Sequence, residues 1–236
     1  MFKQSGRIRD YVFPLATVEK SGNDLSVKQV LGTAFFIGNQ GFALTAKHVI
    51  TGCESQRICG MLVGDDNGWV GFDVIVRESH PTEDVALIKL AGSSWRSFFR
   101  LSNTEEHASC KYRLFGYPDD TTQEMVQGGR VAIRPDLVYN EGYIRRRYNG
   151  KLPSFQGTSF FELSEVAGTG VSGAPVLKIN SSGPWDVIGI YVGEKLNDRA
   201  TSVSYAVREE SFRQWSPQML GKTVLEESQN TEEPSA

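Results

Sequence analysis

Short apolar runs recur along the whole chain, most of them four to eight residues long, rich in Val, Ile, Phe and Tyr and bounded by Gly, Asn, Asp, Ser or Pro. They fall at Tyr11–Glu19, Gly32–Gly38, Gly41–Thr45, Met61–Val63, Phe72–Arg77, Val85–Leu90, Tyr112–Gly116, Gly129–Ile133, Ser159–Leu163, Ala174–Ile179, Asp186–Val192 and Ser202–Val207. Many short strands with such punctuation predict an all-β sandwich or closed barrels rather than alternating βαβ units. Two helical pieces interrupt them. Ala46–Thr51 is one turn, and Arg208–Leu220 sets Phe212, Trp215 and Met219 on one face, with Pro217 ending the helix near Ser216. The polar stretch Ala91–Cys110 divides the strands into two sets. The chain is therefore expected to run as an N-terminal barrel (1–92), a linker (93–109), a C-terminal barrel (110–207), a helix (208–221) and an acidic disordered tail (222–236).

Composition narrows the function classes. A chain of 236 residues suits one or two domains, and 24 glycines fit many turns. The net charge is −3, but residues 225–236 hold four glutamates and no base, so the body is nearly neutral. That argues against nucleic-acid binding through bulk positive charge. No apolar stretch is long enough for a membrane-spanning helix, and the amino terminus breaks its apolar residues with charges and glycine, unlike a signal peptide. Cys53, Cys59 and Cys110 are too few, and odd in number, for a disulfide framework, which points to the cytoplasm. Neither a C-x-x-C nor an H-x-x-x-H pair occurs, so neither a metal nor another cofactor is expected.

The chemistry concentrates in three places. His48 lies in GTAFFIGNQGFALTAKHVI, at the end of a strand and inside a short helical turn, Asp84 precedes the apolar run in HPTEDVALIKL, and Ser172 lies in GTGVSGAPVL. Acyl transfer needs a hydroxyl, an imidazole to take its proton, a carboxylate to orient that imidazole, and backbone amides aimed at the oxyanion. The order His, Asp, Ser excludes an α/β-hydrolase, whose histidine follows its serine; here no histidine follows His107. His80 and His107 have no comparable setting and are assigned to surface or loop positions. The basic run Arg145–Arg147 reads as a solvated loop, with an acidic partner as the alternative.

These residues resemble the chymotrypsin-like (trypsin-fold) serine peptidases, in particular compact bacterial trypsin-like members. Thr45-Ala46-Lys47-His48 matches the family's T-A-x-H, and Asp84 to Leu90 matches D-[IV]-A-L-[IL]-[KR]-L. Gly170 to Pro175 matches G-[DN]-S-G-[GA]-P except at Val171, and Val187 to Gly193 resembles the later substrate-pairing strand block. The resemblance spans roughly Tyr11 to Trp215. It implies two packed six-stranded Greek-key β-barrels with a C-terminal helix. It further implies His48 as general base, Asp84 as orienting carboxylate, Ser172 as nucleophile, and the amides of Gly170 and Ser172 as oxyanion hole. By the same alignment Val166, Ala167, Thr169, Val192, Gly193 and Val203, or Ser204 beside it, would bind substrate. With no carboxylate at the pocket base, a small or medium apolar P1 side chain is expected. Val171 stands where digestive members carry the aspartate that pairs with a new amino terminus, so activation by that cut is not expected. The implied function is a serine endopeptidase of narrow specificity or one switched on by a protein partner. Its partners would be a protein or peptide substrate, with no nucleic acid and no membrane. The alternative is a catalytically silent trypsin-fold binding module.

Overall fold

The computed structural model describes residues 4, 6–21, 24–53, 55–64, 68–92, 95–127, 130–179, 185–196 and 201–231. The first six strands are β1 (Val12–Ser21), β2 (Asp24–Ile37), β3 (Phe42–Thr45), β4 (Ile58–Val63), β5 (Trp69–Ser79) and β6 (Ala86–Leu90). They close as an antiparallel barrel in the order β1-β2-β3-β6-β5-β4, which removes both free sheet edges. Bulges near Leu15, Thr17 and Val74 interrupt the register; such insertions bend strands into a closed curve. By the register, Phe13, Phe36 and Ile88 share one face of these strands and Phe35, Leu44 and Leu87 the other, and all six are fully buried.

The second set is β8 (Lys111–Gly116), β11 (Val138–Asn149), β12 (Ser159–Leu163), β13 (Pro175–Lys178), β14 (Trp185–Leu196) and β15 (Ser202–Arg208). The order β13-β8-β11-β12-β15-β14, with a further β13–β14 pairing, closes a second six-stranded antiparallel barrel. Its interior holds Tyr112, Leu114, Ile144, Phe161, Val171, Ile188 and Tyr191. Alternate residues of β14 and β15, including Ile190, Val192, Val203 and Val207, instead join the core that contains the first barrel. Strand β14 is thus buried on both faces and forms the seam between barrels. Two-barrel architecture agrees with the sequence expectation.

Several local expectations are corrected. The linker holds a strand, β7 (Phe99–Leu101), which pairs in parallel with β14, and a β9 (Gln123–Gln127)–β10 (Arg130–Arg134) hairpin lies between β8 and β11. The run Arg145–Arg147, expected as a solvated loop, belongs to strand β11. Its basic run lies in the sheet: Arg145 and Arg146 pair with Glu162 at 3.4 and 2.6 Å, and Arg147 with Glu210 at 2.6 Å. The helix expected over 208–221 is a single 3-10 turn, Glu209–Ser211, followed by turns around Pro217. The C-terminal α-helix is instead α2 (Val224–Ser228), inside the segment expected to be disordered. Thr223 and Glu226 form a reciprocal capping box there. Glu227 is buried beside Lys222 (2.5 Å), and Ser228 Oγ accepts from the Leu101 amide (3.1 Å), which docks the helix on β7. Residues 232–236 of the expected tail lie outside the described residues.

Candidate active site

The short helix α1 (Lys47–Ile50) follows β3 and buries Val49 and Ile50, which leaves His48 between them and Lys47 facing solvent. The His48 ring is held from beneath. Asp84 Oδ2 lies 2.7 Å from His48 Nδ1, while Asp84 Oδ1 accepts the His48 backbone amide at 2.9 Å. Asp84 is 4% exposed at its side chain and His48 47%, so the carboxylate is shielded while the distal ring nitrogen stays reachable. Two hydrogen bonds from one residue to one carboxylate fix both the ring and the turn that carries it. A carboxylate at Nδ1 favours the tautomer with its proton there and leaves Nε2 free to accept one.

Asp84 owes its position to a compact turn. His80, expected at a surface or loop position, lies in the loop after β5 but is only 7% exposed. Its Nδ1 accepts the amides of Thr82 (3.3 Å) and Glu83 (2.9 Å), and its ring meets Trp215 edge-on. Burial, reinforced by the Lys47 charge, lowers the His80 pKa and favours the neutral ring that accepts these bonds. His107 is exposed, as expected.

Ser172 arrives from the other barrel. Gly32 lies against both Val49, next to His48, and the Ser172 carbonyl, and a Cβ on it would stand 2.7 and 2.8 Å from them. Gly173 sits where any side chain would strike the Thr33 carbonyl and the Thr45 hydroxyl. Ser172 Oγ bonds to the Val192 carbonyl at 3.4 Å.

Each carbonyl of the loop before and at the serine is anchored. Thr169 O accepts from Asp119 N (2.9 Å), Gly170 O from Thr33 Oγ1 (3.0 Å), Val171 O from Ala174 N (3.0 Å) and Ser172 O from Thr33 N (2.8 Å). All peptides among the described residues are trans, and in a trans peptide the N–H points opposite to the C=O of its own unit. Anchoring Thr169 O and Val171 O therefore turns the amides of Gly170 and Ser172 away from those anchors. Gly170 has φ +90°, and a Cβ there would lie 2.6 Å from Tyr117 O, so only glycine fits. Val171 is 1% exposed and fills the space over Gly116, where a Cβ would be 2.6 Å from Val171 Cγ1. Thr33, completely buried, also accepts the Tyr117 amide at 3.1 Å. Sequence reasoning missed this hub; its only trace is one hydroxyl amid the apolar run Gly32–Gly38.

The expected substrate-binding residues divide. Ala167 joins the interior of the second barrel with Val171 and Tyr191, whereas Val192 and Val203 face the inter-barrel core. Val166 and Thr169 are exposed and Gly193 is half-buried. Beneath the serine loop the Tyr191 hydroxyl accepts the Ala167 amide (3.3 Å) and meets Ser204 Oγ (3.5 Å). Among the described residues no cluster of three His, Cys, Asp or Glu side chains is arranged for a metal, and no helix is long and apolar enough to cross a membrane.

The model of the trypsin-like peptidase domain matches residues 32–190. No curated protein matches the chain. Among solved structures, the MamO protease domain from Magnetospirillum magneticum superposes with TM-score 0.61 at 14% identity, covering 84% of this chain and 92% of that one. The HtrA-type protease AlgW with a decapeptide gives 0.60 at 16%, covering 86% and 62%. Deg5 gives 0.58 at 15%, covering 86% and 85%. At such identities the likeness concerns the fold.

Proposed function

The chain belongs to the trypsin-like peptidase family, and on that premise we propose that it is a serine endopeptidase acting through Ser172, His48 and Asp84. The observation that carries the proposal is the buried Asp84 carboxylate bound to both the ring and the backbone of His48; the closeness of Gly32 to both Val49 and the Ser172 carbonyl supports it. In the proposed cycle the Ser172 hydroxyl leaves the Val192 carbonyl for His48 Nε2 and attacks the substrate carbonyl as the imidazole takes its proton. Asp84 stabilises the imidazolium. The Gly170 and Ser172 amides receive the oxyanion, and His48 returns the proton to the leaving amine. The C–N bond breaks, an ester on Ser172 forms, and water deprotonated by His48 hydrolyses it.

The oxyanion loop needs no new amino terminus in this reading, because Val171 and the Thr33 bonds hold it from within the folded chain. For specificity we place the Tyr191 ring in the P1 pocket implied by the family resemblance, leaving room for small side chains. A second reading, a silent binding module, draws on the serine bond to Val192 rather than to the imidazole. Catalytic hydrogen bonds are often misaligned without substrate, which favours the first. Hydrolysis of a peptide library by wild type, Ser172→Ala and His48→Ala distinguishes them. The endopeptidase predicts cleavage that falls at least about 10³-fold in both variants. Equal rates, or no cleavage by any of the three, would leave the binding module.

A further inference from the structure

The turn after β11 crosses from the second barrel to the Asp84 turn. Its base is closed by the Gly150 amide donating to Thr158 O (2.8 Å), and Leu152, 8% exposed, accepts the Phe155 amide (3.1 Å). Near its tip the half-buried Phe155 ring packs on Tyr205 and Phe160, with centroids 5.8 and 6.4 Å away. On its other side lies Gly193. A Cβ on that glycine would stand 3.2 Å from Phe155 Cε1 and 3.9 Å from Ser172 Oγ. One glycine therefore lies between an aromatic ring and the serine hydroxyl.

The far end of the turn is tied to the residue beside Asp84. Glu83 is 5% exposed, and its Oε2 accepts the Thr158 amide at 3.3 Å. Gly157, at φ +113°, lies so close to this carboxylate that any side chain would collide with it. Gln156 Nε2 adds a bond to Pro81 O at 3.5 Å. Burial raises the Glu83 pKa, while the Thr158 and Ser159 amides oppose that rise. The contacts form a chain from one side of the site to the other: His48 to Asp84, its neighbour Glu83 to Thr158, and Phe155 beside the Gly193 backbone that also lies near the Ser172 hydroxyl.

We propose that Glu83 is a positioning residue that clamps the 150–158 turn to the Asp84 turn, and that Phe155 is thereby held as an apolar contact for a substrate side chain beside the scissile bond. This rests on the endopeptidase reading, and it adds a preference for a bulky apolar substrate residue close to, but distinct from, P1. A carboxylate suits the clamp because it accepts several backbone amides at once, whereas an alanine leaves those amides without a partner.

The test uses the full chain and three readouts: acylation rate with a fluorophosphonate, which has no peptide side chains, kcat and KM for peptides differing in one apolar residue near the cleaved bond, and amide hydrogen exchange over residues 150–159. For Phe155→Ala the loss in kcat/KM on the apolar peptide should exceed the loss in acylation rate at least tenfold and lie mainly in KM, with Phe155→Leu restoring most of it. Glu83→Ala should reproduce that selective loss and speed exchange at 157–159. Glu83→Gln, which keeps an acceptor, should recover part of both, and Glu83→Ala/Phe155→Ala should be little worse than either alone. Equal losses on all peptides and on the fluorophosphonate, or unchanged exchange in Glu83→Ala, would overturn the proposal. Failure of wild type to acylate would instead sink the endopeptidase reading, while the exchange arm would still report on the clamp.

Discussion

The Thr33 hydroxyl accepts the Tyr117 amide and donates to the Gly170 carbonyl, so its removal strands two buried backbone groups, at about 1–3 kcal/mol each. Thr33→Val keeps the shape and deletes both bonds. It should lower kcat about tenfold to a hundredfold, with KM nearly unchanged, while Thr33→Ser retains most activity; steady-state kinetics check this, and equal activity in both variants would remove Thr33 from the account. Tyr191 carries the specificity argument. Tyr191→Val should shift P1 preference toward Leu and Phe by at least tenfold in kcat/KM over Ala, at a stability cost of about 3 kcal/mol. Tyr191→Phe, which keeps the ring, should leave the preference small. A peptide series read alongside thermal melts separates the two effects.

At the scale of elements, the 3-10 turn after β15 stores an electrostatic cost. Glu209 is 1% exposed, and among the described residues neither carboxylate oxygen has a hydrogen-bond partner. Burial, with the Glu210 charge, outweighs Arg213 at 3.5 Å and pushes its carboxyl up to about 8. A raised carboxyl binds its proton more tightly folded than unfolded. Its stabilising contribution is complete below the ordinary value of 4.5 and is lost as pH rises through about 8. The slope is at most about 1.4 kcal/mol per pH unit. Melting temperature should therefore fall from pH 5 to 9 more steeply in wild type than in Glu209→Gln; parallel curves would contradict it. The same region shows where sequence reading fails. Phe212, Trp215 and Met219 have helical spacing, but Pro217 and the packing of Trp215 on His80 hold the chain in turns. Strand β11 was hidden because its charges are neutralised by Glu162 and Glu210 on neighbouring segments, which spacing along one strand does not reveal. The helix α2 was legible in principle from Thr223 and Glu226, a capping pair within a segment dominated by acidic residues.

For the whole molecule, the two barrels were readable from the recurring short apolar runs, and His48, Asp84 and Ser172 stood out as candidates because each motif is local: a strand end, a turn and a glycine-flanked loop. The supports were not, because Thr33, Tyr191 and Glu83 act across 137, 24 and 75 positions of sequence on Gly170, Ala167 and Thr158. Their roles exist only after closure of the barrels. The loop anchors also make the folded chain self-sufficient in this account, with an apolar Val171 where an ion pair to a cut terminus would otherwise be needed. The most direct measurement is fluorophosphonate labelling of the purified, uncut protein, followed by intact-mass analysis and peptide mapping. The account predicts one adduct per chain, on Ser172, with the amino terminus unprocessed and the adduct lost in His48→Ala. Labelling only after a cut upstream of β1, or an adduct that persists in Ser172→Ala, would contradict it.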